Sequence, residues 1–190
     1  MTDEPPAPYP RELEREIVLR DGTRLMIRPI GPVDETRLVD LYDRLSRHTA
    51  YQRFFTIMKR LPPDWAHFLA NVDYRRRLAL IAEPRPGELI AVARYETTDR
   101  EDTAEIAFVV QDCWQNRGLG TILLRLLLEA AGARGIVQFR ALVLADNTRM
   151  LDLITRFADI RRRGVSQGVV DLLFTARSSP APARSRLGGG

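Results

Sequence analysis

A strand-like run, Glu105-Ile106-Ala107-Phe108-Val109-Val110, leads through a short polar turn into Gln115-Asn116-Arg117-Gly118-Leu119-Gly120-Thr121. An apolar helical run follows, from Ile122 to about Arg134. A strand that passes through glycines into a helix start builds a site for anions. The first amides of a helix lack partners within it, and its dipole makes that end partly positive. Glycines at 118 and 120 let a phosphate approach the backbone with no Cβ in the way. The segment therefore points to a ligand that carries a pyrophosphate. The helix also constrains the fold. Leu123, Leu124, Leu127 and Leu128 leave it apolar on almost every side, so it must be covered. About 16 residues at ~1.5 Å rise match a strand of about seven residues at ~3.3 Å, so the helix lies across one face of a sheet.

Spacing separates the glycine motifs. A dinucleotide fingerprint needs a third glycine at position 123, which is leucine, and no Gly-Lys-Ser/Thr of a nucleotide P-loop is present. What remains is Gln-x-x-Gly-x-Gly at the mouth of a helix, after a strand that carries a glutamate. An isolated Gly-x-Gly is more simply a strand-to-helix turn. The whole arrangement, with Asn147 downstream, resembles the acetyl-CoA pyrophosphate loop of the GNAT superfamily of N-acyltransferases.

The rest of the chain is consistent with that resemblance. Residues 15–19 and 23–30 read as strands around Asp21-Gly22, a hairpin signal. A helix opens near Pro32 and Asp34 and runs to about Ser46, with Leu38, Leu41, Tyr42 and Leu45 at helical spacing. Residues 51–55 read as a short buried helix or turn, and a further helix begins near Pro62-Pro63-Asp64. Strands at 77–82, 88–95 and 103–110 form a meander. After the apolar helix come a strand at 139–144, parallel to 105–110, a helix at 147–157 and a closing strand at 169–175. The expected fold is mixed α/β (α+β). The GNAT resemblance implies a mostly antiparallel sheet splayed between two parallel strands, with helices on both faces. Residues 12–176 are the expected domain, and 1–11 and 177–190 are read as disordered tails.

At 190 residues the chain suits one domain, and a 45% hydrophobic content is ordinary for one. Cys113 is the single cysteine, so no internal disulfide and no multi-cysteine zinc site can form. No metal site is expected. The N-terminus is acidic and proline-rich, unlike a secretory signal, and no apolar run is long enough to span a bilayer. A cytoplasmic protein without membrane contact is the default. The net charge of +4 and the clusters Arg75-Arg76-Arg77 and Arg161-Arg162-Arg163 lack interleaved aromatics. They read as solvated arginines that favour an anionic cofactor, with no nucleic-acid partner.

The resemblance assigns roles residue by residue. The amides of Gln115, Asn116, Arg117, Gly118, Leu119, Gly120 and Thr121 would hold the pyrophosphate of acetyl-CoA. The backbone of Phe108, Val109 and Val110 would pair with the pantetheine arm and could donate to the oxyanion. Asn147 matches an asparagine that contacts pantetheine in many members; helix capping is its equally good alternative. Acyl transfer also needs a deprotonated amine, and only about 0.04% of free lysine is neutral at pH 7. Glu105 is the candidate base, in an Ala-Glu-Ile strand like that of several lysine-directed members. A solvent-facing glutamate is the alternative, and alternation alone does not say which face enters the slot. A tyrosine that protonates the thiolate in this superfamily would fall at Ile154, so the thiolate leaves unassisted or with water. A Cys113 nucleophile is less simple than direct attack.

Four segments narrow the resemblance: residues 19–23 (Leu-Arg-Asp-Gly-Thr), 27–29 (Ile-Arg-Pro), 51–55 (Tyr-Gln-Arg-Phe-Phe) and 71–74 (Asn-Val-Asp-Tyr). Together they are similar to the catalytic domain of bacterial Pat-type protein lysine acetyltransferases. Phe157-Ala158-Asp159 departs from the Leu-Gly-Phe usual there. Residues 51–55 read as core packing ahead of substrate contact. The implied activity is acetyl transfer from acetyl-CoA to a protein lysine. Acetylation of a small amine or amino acid, and a silent acyl-CoA-binding regulatory module, are the alternatives. The chain would work as a monomer or homodimer.

Overall fold

The computed structural model describes residues 7–177. Eight strands form one sheet in the order β1-β2-β3-β4-β5-β6-β8-β7. The strands are β1 (Arg15–Val18), β2 (Arg24–Pro29), β3 (Arg77–Glu83), β4 (Ala91–Thr97), β5 (Thr103–Val110), β6 (Gln138–Leu144), β7 (Ala158–Ser166) and β8 (Val169–Ala176). The helices are α1 (Glu35–Asp43), α2 (Arg47–Phe54), α3 (Pro63–Ala70), α4 (Leu119–Gly132) and α5 (Thr148–Phe157). Every neighbouring pair is antiparallel except β5–β6, which α4 connects as a crossover.

The apolar helix is buried as its composition requires. Leu123, Leu124, Leu127 and Ala131 are almost fully covered where α4 packs on β3, β4 and β5. The opposite face lies under α1, α2 and α3. There Leu41 and Tyr42 of α1, Phe54 of α2 and Leu69 of α3 surround Val92, Arg94 and Val109 of the sheet. The helix expected from residue 32 to 46 is shorter. Pro32–Asp34 is a single 3-10 turn, and Ser46 starts α2 by capping it, its Oγ accepting from the Thr49 amide at 3.1 Å.

The sequence pattern gives no sign of β7. Its residues, Ala-Asp-Ile-Arg-Arg-Arg-Gly-Val-Ser, are exposed after Ala158 and show no alternation, because an edge strand open on both faces has no apolar side to mark. Arg161, Arg162 and Arg163 lie on this edge, where charge discourages pairing with another chain. Gln167 and Gly168, both at positive φ, close the β7–β8 hairpin.

Residues 1–6 and 178–190 of the expected tails lie outside the described residues. Residues 7–11 pack on the domain. The Ala7 amide donates to Asp73 O at 3.0 Å, and the Tyr9 ring meets Tyr74 edge-on at 5.7 Å. Order therefore extends N-terminal of the boundary drawn at residue 12, because these contacts offset the entropy of fixing the segment.

Candidate functional site

Backbone pairing opens the site. β5 and β6 are joined only through Thr103↔Gln138, Ala104↔Phe139 and Glu105↔Arg140. Beyond Glu105, β5 stays bonded to β4 as far as Val110, while β6 continues beside β8, so a gap separates the two parallel strands. Successive residues of a strand direct their backbone polar groups to opposite sides. The Gln111 amide donates to Ile90 O at 2.8 Å on the β4 side, and Asp102 O accepts from Gln138 at 3.0 Å on the β6 side. Both bonds set the same alternation. Phe108 and Val110 present their backbone groups to the gap, and Val109 presents its own to β4.

The turn beyond the gap supplies unpaired donors. Gly118 caps α4 at φ +87°, a conformation that any Cβ strains, and Asn116 also has positive φ. The amides of residues 118–121 find no acceptor among the described residues; the first bond of the helix is Ile122 N to Gly118 O at 3.2 Å. These donors sit at one end of a cleft of about 1000 Å³. A diphosphate fits their chemistry: several free N–H groups, a helix N-terminus, and glycines that admit close approach.

The cleft gathers most of the residues singled out by sequence. Glu105, Phe108, Val109 and Val110 enter from β5. Gln115, Asn116, Gly118, Gly120 and Thr121 come from the turn and α4, and Asn147 from the start of α5. Arg117 and Leu119 do not line it. Leu119 is buried in the core. Arg117 turns away: Nε donates to Asp21 Oδ2 at 2.7 Å, and Nη2 donates to the same carboxylate and to Thr23 Oγ1. Its guanidinium lies 4.4 Å from the Trp114 ring centroid. Bonds from Thr23, and then Arg117, hold the Asp21 carboxyl down at about 2. Arg117 thus ties the turn to the β1–β2 hairpin, and only its backbone remains available to a ligand. Cys113 is exposed and does not line the cleft.

Gln115 is a strut. Its Nε2 donates to Val110 O at 3.0 Å and to Thr49 Oγ1 at 3.2 Å, fixing the end of β5 and α2 to the turn. Asp112, which no sequence motif singles out, extends the same brace. Its carboxylate accepts from Ser46 N at 2.9 Å, Ser46 Oγ at 2.6 Å and Thr49 Oγ1 at 2.7 Å. Burial pushes its pKa up, but these bonds outweigh it and hold the group below its ordinary value. Nothing local in the sequence signals this role, because its partners lie more than sixty positions away.

Asn147 caps α5, its Oδ1 accepting from the Met150 amide at 3.2 Å. Its Nδ2 has no partner among the described residues, so one side chain can cap the helix and still donate into the cleft. The two roles separate by substitution. Asn147→Ala is expected to cost about 1 kcal/mol of stability and to weaken acetyl-CoA binding. Asn147→Asp is expected to retain the cap and lose only the ligand contact, read by thermal melts beside calorimetric titration.

The structure assigns a face to Glu105. Val109 and Arg94, the cross-strand partner of Ala107, both point under α1–α3. Glu105 alternates in phase with Ala107 and Val109, so its exposed carboxylate lies on that side, at the point where the gap opens. Arg53 of α2 attracts it from across the cleft, and Arg140, its partner on β6, attracts it from beside. Residues 51–55, expected as core, are only partly so: Phe54 packs against it half-buried, and Tyr51 and Phe55 are exposed. Arg53, Phe54 and Phe55 line the cleft with Trp65 of α3, because α2 ends where the sheet opens and leaves this turn over the gap. Ile154 also lines the cleft, at the place where a tyrosine would serve as acid.

A sequence model of the acetyltransferase (GNAT) family matches residues 39–158. An acetyltransferase of Pseudomonas aeruginosa is 30% identical over 148 residues, 76% of this chain and 80% of that protein. Acetyltransferase Pat of Mycolicibacterium smegmatis is 32% identical over 148 residues, and the match spans 44% of its length. The GNAT domain of S. lividans PAT superposes with a TM-score of 0.81 at 36% identity, covering 88% of this chain and 99% of that one.

Proposed function

This chain belongs to the acetyltransferase (GNAT) family, and on that premise we propose that it acetylates a lysine of another protein by direct attack on acetyl-CoA, with Glu105 as general base. The chain is an acetyl-CoA-dependent N-acetyltransferase. Acetyl-CoA supplies the acyl group as an activated thioester. The unpaired amides at residues 118–121 hold its diphosphate, and the backbone of Phe108 and Val110 pairs with its arm in the gap. The thioester carbonyl then lies near the point where β5 and β6 part, and an amide of this strand donates to the oxyanion as the amine attacks. Glu105 takes the proton of the attacking amine. Ile154 offers no proton to the departing sulfur, and no tyrosine among the described residues lines the cleft. A thiol is acidic enough, at about 8.5, to leave with water alone.

The single observation that favours a protein acceptor is the rim of the cleft. Tyr51, Phe55, Ile57, Trp65 and Phe68 are all exposed on α2, α3 and the loop between them, and Phe55 and Trp65 enter the cleft itself. Adjacent exposed apolar side chains of this size are characteristic of surfaces that meet another protein. The similarity to Pat-type proteins supports the same reading. The test is thiol release with a lysine-bearing acceptor such as a purified acyl-CoA synthetase, run against polyamines and free amino acids, with mass spectrometry locating the acetyl group. Acetylation of a defined lysine is expected. Turnover confined to small amines, or acetyl-CoA binding with no turnover of any acceptor, overturns the proposal.

A further inference from the structure

Two arginines on the acceptor side of the cleft have donors without partners among the described residues. Arg94 is 6% exposed, and its Nη2 is buried with no hydrogen-bond partner; its one bond is Nη1 to Leu69 O at 3.4 Å. Arg53, in front of it, makes no hydrogen bond or ion pair among the described residues and has only the Phe54 ring, 4.8 Å from its guanidinium carbon. Both line a small cavity of about 30 Å³ behind the wall that Arg53, Phe54 and Val109 form for the main cleft. Burial lowers the Arg94 pKa to about 9, with repulsion from Arg53 and Arg77 adding to it, and burial lowers that of Arg53 to about 10 against the pull of Glu105.

Neighbouring arginines have carboxylates beside them. Arg77 faces Glu96 at 3.8 Å, and Arg140 is held by Asp171 at 2.9 Å. Asp112, also in the cleft, spends its carboxylate on Ser46 and Thr49, so Arg53 is left without an acceptor among the described residues. A lysine ammonium that approaches Glu105 adds a further positive charge. An acceptor that brings its own carboxylate offsets that charge and gives Arg53 the hydrogen-bond partner that it lacks.

We propose that Arg53 is a specificity-determining residue that reads a carboxylate on the acceptor close to the lysine amine. This rests on the protein-lysine reading above and refines it: the preferred lysine has an acidic residue beside it. A guanidinium–carboxylate bond is among the stronger hydrogen bonds available to a partly buried site. The same chemistry could come from the α-carboxylate of an amino acid, which the experiment separates.

The test uses peptides with one central lysine flanked by glutamate, glutamine or arginine, together with Nα-acetyl-lysine and its amide. Wild type is expected to favour glutamate over glutamine by about tenfold in kcat/KM, carried by KM, with arginine worst. In Arg53→Gln this preference is expected to fall below about twofold, and Arg53→Lys is expected to retain part of it, with acetyl-CoA affinity unchanged in both. A parallel binding arm replaces the lysine by norleucine and follows tryptophan fluorescence, Trp65 being in the cleft. If no lysine peptide is acetylated, the protein-lysine reading falls while the binding arm still decides this inference. Equal affinity for glutamate and glutamine peptides, or a preference that survives Arg53→Gln, overturns it. A preference for Nα-acetyl-lysine over its amide, with none among the peptides, assigns the carboxylate to a free amino acid and overturns the acidic-neighbour form.

Discussion

Glu105→Gln is expected to lower kcat by about 10²–10⁴-fold while leaving the affinity for acetyl-CoA unchanged within about twofold. The two quantities divide because Glu105 sits beyond the end of the strand segment proposed to meet the cofactor. Its backbone makes the last parallel pair with Arg140, and the gap begins one residue later. Its carboxylate faces α2, while the unpaired amides lie across the cleft at the start of α4. The amide of Gln preserves size and hydrogen bonding but cannot accept a proton from an ammonium. Pre-steady-state rates with a saturating lysine substrate, beside calorimetry, measure both quantities. A kcat within about threefold of wild type would remove Glu105 from the chemistry and assign proton removal to water.

The second large effect is on stability. Arg28 of β2 places its guanidinium between two carboxylates. It bonds Asp34 through Nη1 and Nη2, both at 2.8 Å, and Glu83 through Nε at 2.9 Å and Nη2 at 2.8 Å. Asp34 is fully buried and also accepts from the Gly31 amide at 2.9 Å and Arg37 Nη1 at 2.8 Å. Every strong donor and acceptor has its partner, so removing one member strands the others. Asp34→Ala is expected to cost about 3–5 kcal/mol, roughly 10 °C in Tm for a chain of this size. Burial raises the Asp34 pKa, but the Arg28 bonds, the Gly31 amide and Arg37 outweigh it, and the net effect lies below the ordinary 3.8. A depressed carboxylate stabilises the fold above its unfolded value, and that contribution is lost as pH falls below about 3.8 through the lower folded value. Asp34→Asn is therefore expected to be less stable at pH 7 and to show a shallower acid limb in denaturant titrations across pH 2–6. A loss below about 1 kcal/mol at pH 7 would show the cluster to be solvated.

What the sequence made legible follows from the range of the interactions involved. Strand 105–110, the glycine turn and α4 are local in sequence, and their periodicity and special backbone positions mark them directly. The gap between β5 and β6 depended on the family resemblance, because pairing that ends at Glu105 leaves no mark in composition. Arg28, Asp21 and Tyr74 belong to the segments that suggested a Pat-type domain, and each holds the fold together. Arg28 sits in the buried cluster, Asp21 binds Arg117, and Tyr74 donates to Ile30 O at 2.9 Å. Arg53, from the same segments, has no hydrogen-bond partner beside the cleft among the described residues. The Asp112 brace joins residues 63 to 66 positions apart, and no spacing rule reaches that far. β7 was hidden for the opposite reason, since its exposed arginines resemble a loop until β8 pairs with them.

The most direct measurement is a titration of the labelled protein with acetyl-CoA, following backbone amide resonances. The amides of Gly118, Leu119, Gly120 and Thr121 are expected to shift most, joined by Phe108 and Val110, and 3′-dephospho-CoA is expected to reproduce the shifts at the turn because the diphosphate is retained. Saturable acetyl-CoA binding that leaves residues 118–121 unmoved would contradict the account, since the donors on which the cofactor site depends would then be facing water.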